Sequence, residues 1–143
     1  MAPPCREQIV AALSTRLAQI AGIAGLIVER DRTVPITGPE MPRLVLYEGN
    51  EAPAPDFTGE DGFELQLDVE GYAASAGVAA LRAATDAAIF ADRTLGGLAR
   101  DVELANEAAP QRLDMDQAAA AKGFVRSYRV LYATREGDPF TFA

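Results

Sequence analysis

The chain has 143 residues, of which 49% are hydrophobic and 24% charged, and its formal net charge is −8. That size and composition predict one soluble globular domain, residues 1–143, and the negative charge argues against gripping nucleic-acid phosphates or docking on an anionic membrane. Histidine is absent, which excludes His-dependent catalytic triads and histidine zinc sites. Carboxylate sites for hard divalent cations remain open.

The amino-terminal region shows neither a targeting pattern nor a reactive thiol. No apolar run approaches the roughly 20 residues that cross a bilayer, and residues 1–7 lack the basic-then-apolar order of a signal peptide. We therefore expect a protein made or assembled in a cytoplasm. Cys5 is the single cysteine. With no base to activate it, we interpret it as an incidental thiol at a helix start.

The first half of the chain predicts one helix and then three strands. Apolar residues recur at helical spacing between Arg6 and about Ala21, namely Ile9, Leu13, Leu17 and Ile20, and this predicts an amphipathic helix. Short strands are expected over residues 26–30 and 43–49. The second has successive apolar residues, which favours cover on both of its faces.

The clearest strand spans residues 63–72, where apolar and polar side chains alternate. Its polar side carries Glu64, Gln66, Asp68 and Glu70, so one face belongs to a core and the other is strongly acidic. Such a face normally meets water. Its charge density also suits either a basic cross-strand partner or a lumen that repels DNA. The Pro- and Gly-containing stretch before it, residues 50–62, predicts a mobile hairpin loop anchored by Phe57.

The second half predicts a helix over residues 76–91 with Ser75 as its N-cap. It ends at Leu95-Gly96-Gly97-Leu98, where the glycines can adopt left-handed backbone. This pair lacks the following Lys and Ser/Thr of a phosphate-binding loop. Strands are expected over residues 100–106 and 124–134, and the end of the chain predicts a turn and a short tail. Residues 111–122 fit either a short helix or an extension of the last strand.

Arg126 and Arg129 are the candidate partners of the acidic strand. Either could neutralise acids of residues 63–70 if the two strands are neighbours. The element order α-β-β-β-α-β-β predicts an α+β fold, with a mainly antiparallel sheet and two main helices packed on one face.

Six segments in order resemble the tail terminator or tail-completion (minor tail) proteins of long-tailed phages and of gene transfer agents. They are Arg6-Glu7-Gln8-Ile9-Val10-Ala11-Ala12-Leu13, Arg30-x-Arg32-x-x-Pro35-Ile36, Met41-Pro42-Arg43-Leu44-Val45-Leu46, Asp92-Arg93-Thr94-Leu95-Gly96-Gly97-Leu98-Ala99, Tyr132-Ala133-Thr134 and Asp138-Pro139-Phe140. None is a catalytic signature. The resemblance spans nearly the whole chain, although residues 110–123 have no counterpart in it.

The resemblance implies a structural virion protein with no catalytic residues, no metal and no cofactor. Such proteins form a ring, typically hexameric, on the tail tube protein, stop tube growth and present a surface to the head-tail connector or stopper. DNA passes through without specific binding, and no membrane is involved. The expected location is the tail or neck of a phage-like particle assembled in the bacterial cytoplasm.

Two groups of residues are candidate sites on this interpretation. Exposed loops and the corner before the glycine pair are candidate interfaces, comprising Phe57, Arg93, Thr94, Leu95, Asp138 and Phe140. The corner fits a plain structural turn equally well. The second group faces the lumen or forms ion pairs, and comprises Glu64, Asp68, Glu70, Arg126 and Arg129.

Two other functions remain open from the sequence. Another neck component, such as a head-closure or adaptor protein, is the nearer alternative, because small α+β proteins share an architecture across different roles. The other is a carboxylate-dependent metal hydrolase, with Glu64, Asp68 and Glu70 as metal ligands.

Overall fold

A computed structural model describes residues 2–54, 59–108 and 121–143. These residues form two α-helices and six β-strands: α1 (Cys5–Ala18), β1 (Ile27–Arg30), β2 (Arg43–Ala54), β3 (Glu60–Ala74), α2 (Val78–Phe90), β4 (Asp101–Ala108), β5 (Ala121–Arg135) and β6 (Asp138–Phe142). The order predicted from the sequence is confirmed. The chain end is a correction, because the expected tail is strand β6. Ser75 opens a 3-10 turn (Ser75–Gly77), and Gly77, not Ser75, is the N-cap of α2.

The strands form one sheet in the order β1-β2-β3-β5-β4, with β6 pairing with the end of β5. β1 runs parallel to β2, and the other described pairs are antiparallel. The expected neighbourhood of the acidic strand and the closing strand is confirmed, since β3 and β5 pair along their whole length.

Both helices cover the same face of this sheet. The apolar residues of β3, Leu65, Leu67 and Val69, are fully buried, and they share one core with residues from α1 and α2. The helix contributions to that core include Ile9, Leu13, Leu17, Leu81 and Ile89. Alternation along the strand therefore places the acidic residues of β3 on the helix-free face. The predicted α+β class is confirmed.

A segment after β1 covers the part of the helix-free face that lies over β2. Ile36 packs there against Val45 and Tyr72, all of them less than 8% exposed. Arg32 and Arg43 hold the segment, because both form ion pairs with Glu29 at 2.8–2.9 Å. The prediction that β2 is covered on both faces is thus confirmed.

The expected loop over residues 50–62 is much shorter than predicted. β2 continues to Ala54 and β3 begins at Glu60, because the two strands keep pairing past a register shift between Glu48 and Glu51. Phe57 and the ambiguous residues 111–120 lie outside the described residues.

Gly71 is required where β3 passes under an aromatic ring. A Cβ at this position would lie 2.2 Å from Cζ of Phe124, its cross-strand neighbour. Because Phe124 is only 5% exposed, we expect Gly71→Ala to lower the free energy of unfolding by about 1–3 kcal/mol. Urea denaturation measures this. Gly77→Ala is the control, since its Cβ would make an ordinary 3.6 Å contact; equal losses in the two variants would contradict the argument.

Candidate functional site

Acidic side chains collect on the helix-free face of the sheet. Glu64, Asp68 and Glu70 of β3 lie there by alternation with the buried leucines. β4 adds Asp101 and Glu103, which pair in register with Leu131 and Arg129 on the same side of β5. We call these five carboxylates the acidic face.

The three β3 acids have no basic partner among residues 2–54, 59–108 and 121–143. Asp68 Oδ1 accepts a hydrogen bond from the Ser127 hydroxyl at 2.6 Å. A Glu70 carboxylate oxygen accepts one from the Tyr72 hydroxyl at 2.8 Å, and burial, followed by that hydrogen bond, raises the pKa of Tyr72. Both donors are neutral hydroxyl groups, so they do not cancel the negative charge of the β3 carboxylates. This charge therefore repels any anion that approaches the face.

Arg126 was predicted to neutralise this face, and that prediction is wrong. In register it pairs with Val69, so its side chain lies on the helix-covered side. There its Nε donates to Asp86 Oδ1 of α2 at 3.1 Å, and Tyr128 donates to the same oxygen at 2.6 Å. The spacing of three residues put Arg126 and Arg129 on opposite faces of the strand, and the β3–β5 register decides which of the two lies beside the acids of β3.

Arg129 does lie on the helix-free face, but it pairs with β4. Its Nε is 3.5 Å from a Glu103 carboxylate oxygen and makes no hydrogen bond, while its cross-strand partner in β3 is the neutral Gln66. The predicted ion pair with the β3 acids is therefore absent within the described part of the chain.

The same acids do not converge on a metal site. Residues along a strand advance by about 3.3 Å each, so Glu64 and Asp68 are on the order of 13 Å apart. Across the described ranges, no three His, Cys, Asp or Glu side chains come together in a way that could hold a metal ion. The three carboxylates that the sequence offered as metal ligands are therefore spread along β3 and do not form a cluster.

The corner around the glycine pair, residues 92–99, is built by one carboxylate. Asp92 Oδ1 accepts hydrogen bonds from the amide and hydroxyl of Thr94, and Oδ2 accepts one from the Gly96 amide at 2.9 Å. Arg16 of α1 donates to the Asp92 carbonyl at 2.8 Å. Leu95 and both glycines have positive φ, as expected for a chain reversal.

The candidate interface residues of this corner separate into two kinds. Leu95 is 3% exposed and belongs to the core, so its prediction as an interface residue is wrong: the turn directs this side chain inward. Arg93 is about half exposed, pairs with Asp101 at 2.7 Å and lies over the Phe90 ring. Thr94 is exposed beside it.

The hydrogen bonds to Asp92 in this corner make the stability of the fold depend on pH. The Thr94 hydroxyl and the backbone amides of Gly96 and Thr94 lower the pKa of Asp92 from 3.8 to about 2. Because the pKa of Asp92 is lower in the folded state, the ionised carboxylate stabilises the fold fully above pH 3.8. This stabilisation is lost as the pH falls to about 2. We expect Asp92→Asn to melt below the wild type at pH 7 and to approach it near pH 2. A melting-temperature difference that stays constant with pH would contradict this assignment.

The carboxy-terminal candidates lie on β6. Phe140 is 44% exposed, and its amide donates to Asp138 Oδ1 at 3.0 Å.

Cys5 of α1 is buried, and burial followed by the nearby Asp138 charge raises the pKa of its thiol, in keeping with an unreactive group. None of the helices in the described residues has the length and apolar character to cross a membrane.

Comparison with known proteins found a similarity to solved structures, but none to family models or to curated proteins. No protein-family model matches the chain, and no curated protein matches it either. Among solved structures it is similar to a chain in the virion of a native gene transfer agent (GTA) particle, with 17% identity over 90% of each chain and a TM-score of 0.41. A likeness this weak assigns neither a fold nor a function.

Proposed function

We propose that this chain is a structural virion protein that caps a tail tube as a ring. In this role it stops tube polymerisation and offers a docking surface for the head connector. The motif order found in the sequence supports it, and the helix-free acidic face is the observation that carries it. Its three β3 carboxylates, which have no ion pair among the described residues, suit a lumen through which DNA slides, because they repel phosphates and give the duplex nothing to grip.

The geometry also separates this proposal from the metal hydrolase. That alternative needs Glu64, Asp68 and Glu70 to converge on a cation, and a strand spreads them instead. The described residues around them supply no ligand cluster, and the nearby arginines are already engaged, Arg129 with Glu103 and Arg32 with Glu29 and Glu40. Another neck component remains the competing role, and it differs from a tail cap in what it binds.

The test is to add the purified protein to tail tubes assembled from tube protein. We expect ring-shaped density at tube ends in electron micrographs, and shorter tubes when the protein is present during polymerisation. Purified connector complexes serve as the comparison. Binding to the connector with no effect on tube ends or tube length would overturn the tail-cap role in favour of another neck component.

A further inference from the structure

We infer that a depression on the helix-free face binds a primary alkylammonium group, with Glu70 as its counter-ion. The depression lies between the segment after β1 and the strands β2 and β3, and has a volume of about 180 Å³. Its lining includes Arg32, Val34, Pro35, Tyr47, Glu70 and Tyr72. The site belongs to a single chain, so it is independent of the ring in the proposed function.

Strand register places the Glu70 carboxylate between two tyrosines. Val45 of β2 lies opposite Glu70, and Tyr47 is two residues further along the same face of β2. Tyr72 follows Glu70 by two residues on the same face of β3. Because the two strands are antiparallel, Tyr47 lies on one side of Glu70 along the strand direction and Tyr72 on the other.

Both tyrosine hydroxyls donate their protons within the chain. The Tyr72 hydroxyl donates to Glu70 at 2.8 Å, and the Tyr47 hydroxyl donates to the Arg32 carbonyl at 2.9 Å. A hydroxyl that has donated its proton still has lone pairs, and a carboxylate offers about four acceptor sites. Glu70 and the two tyrosines therefore present hydrogen-bond acceptors, which suit the three N–H donors of an ammonium group.

The charges around the depression favour a cation, although Arg32 is part of its lining. Arg32 pairs with Glu29 at 2.9 Å and with Glu40 at 2.8 Å, and Arg43 pairs with Glu29 at 2.8 Å. The charges of these two arginines and two glutamates cancel. Glu70 has no ion pair within the described parts of the chain, so its negative charge is the one left to a ligand.

The segment after β1 also supplies an apolar wall. Arg32 Nε donates to the Val34 carbonyl at 2.8 Å and Nη2 to the Pro35 carbonyl at 3.1 Å, and these hydrogen bonds hold the backbone of the wall. The Val34 side chain is 61% exposed, and Pro35 is exposed beside it. The methylene groups that carry an ammonium group pack on such surfaces, so an alkylammonium fits this depression better than an inorganic cation.

An NMR titration of the isotope-labelled protein with N-acetyl-lysine amide tests the site. We expect saturable shifts that include the backbone amides of Val34, Tyr47 and Tyr72. N-acetyl-norleucine amide lacks only the ammonium group and should give no saturable shifts. Sodium chloride at equal ionic strength is the blank, because salt screens exposed charges. No saturable shifts with the lysine compound, or equal shifts with the norleucine compound, would overturn the inference.

Two glutamine variants make the assignment specific. Glu70→Gln keeps a carbonyl oxygen for the Tyr72 hydroxyl but removes the charge, and it should weaken binding of the lysine compound about tenfold or more. Glu64→Gln removes the same charge from the same face of β3. It lies about 20 Å along the strand from Glu70, beyond the roughly 10 Å Debye length at 0.1 M salt, and should weaken binding by roughly twofold at most. Equal losses in the two variants would overturn the role of Glu70.

A third variant tests the apolar wall without removing a charge or a buried group. Val34→Ala shortens an exposed side chain, so the fold should be unaffected. We expect it to weaken binding of the lysine compound about threefold, because less methylene surface is covered. Unchanged affinity would show that the alkyl chain does not pack on this wall and would overturn the placement of the ligand in the depression.

Diaminobutane distinguishes the two sources of such a group. Tighter binding of this diamine than of the lysine compound assigns the site to free polyamines, and the reverse assigns it to a lysine side chain of a partner protein; either result supports the ammonium site. The site and the tail-cap role fail separately, because the titration needs no tail tube and tube capping is measured without amines.

Discussion

Replacing Asp86 by alanine is expected to lower the free energy of unfolding by about 3 kcal/mol, the largest stability effect that we predict for a single substitution. The Asp86 carboxylate accepts hydrogen bonds from Arg126 and Tyr128 at the boundary between α2 and the sheet. Arg126 is 8% exposed and Tyr128 is fully buried. Removing the acid leaves a nearly buried guanidinium and a buried hydroxyl without this acceptor.

Urea denaturation at pH 7 measures the loss, and two variants make the test specific. Arg93→Ala breaks an ion pair in which the arginine side chain is 53% exposed, and should change stability much less. The double variant Asp86→Leu/Arg126→Met should recover part of the loss, because it removes both charges together. If Asp86→Ala costs no more than Arg93→Ala, the network does not stabilise the fold.

The same network predicts a loss of stability in acid. Burial raises the pKa of Asp86, but the hydrogen bonds from Arg126 and Tyr128 outweigh it, so that the pKa lies below 3.8. The carboxylate therefore stabilises the fold fully above pH 3.8, and the effect is lost as the pH falls through the lowered value. Stability measured against pH should accordingly fall less steeply in acid for Asp86→Leu/Arg126→Met than for the wild type.

Reversing charge on the acidic face should impair DNA delivery without harming the fold. Glu64 has no hydrogen bond or ion pair among the described residues, and the Glu70 hydrogen bond is to a neutral hydroxyl. Under the proposed function, we expect Glu64→Lys/Glu70→Lys particles to deliver DNA about tenfold less efficiently, because a lumen lined by these lysines would attract the duplex. The isolated variant should also bind duplex DNA with a log–log salt slope of roughly −1.8, for two phosphates neutralised per copy.

A variant of equal net charge provides the control for location. Thr15, Ala18, Ala83 and Ala87 are exposed positions at or next to the helices, and changing all four to lysine adds the same charge away from the acidic face. Particles with this variant should deliver DNA normally, as should those with the neutral Glu64→Gln/Glu70→Gln pair. Equal defects in the four-lysine variant and in Glu64→Lys/Glu70→Lys would place the acidic face outside the DNA path.

Local sequence patterns were sufficient to predict the helices and strands, and to predict which side chains of one strand share a face. The alternation over residues 63–72 predicted both the buried leucines and the acidic side of β3, since successive side chains of a strand point in opposite directions. Helical spacing located α1, and the glycine pair marked the corner after α2. These features depend on neighbours in sequence, which is why they could be predicted.

Register and long-range contacts were decided by the tertiary structure. The sequence offered Arg126 and Arg129 equally as partners of the acids, but the pairing of β5 with β3 places Arg126 opposite Val69 and Arg129 opposite Gln66. A shift of one residue would exchange their faces. Likewise, continued β2–β3 pairing replaced most of the predicted loop, and core packing turned Leu95 inward.

The sequence by itself determined an acidic α+β chain without histidine and with one strongly acidic strand face, because composition and local periodicity carry that information. The tertiary structure alone decided that Arg126 pairs with Asp86 under α2 and that Arg129 pairs with Glu103 of β4, which leaves Glu64, Asp68 and Glu70 without an ion pair from β5. Both outcomes follow from how strands far apart in sequence align, and loop closure and packing set that alignment rather than any local pattern.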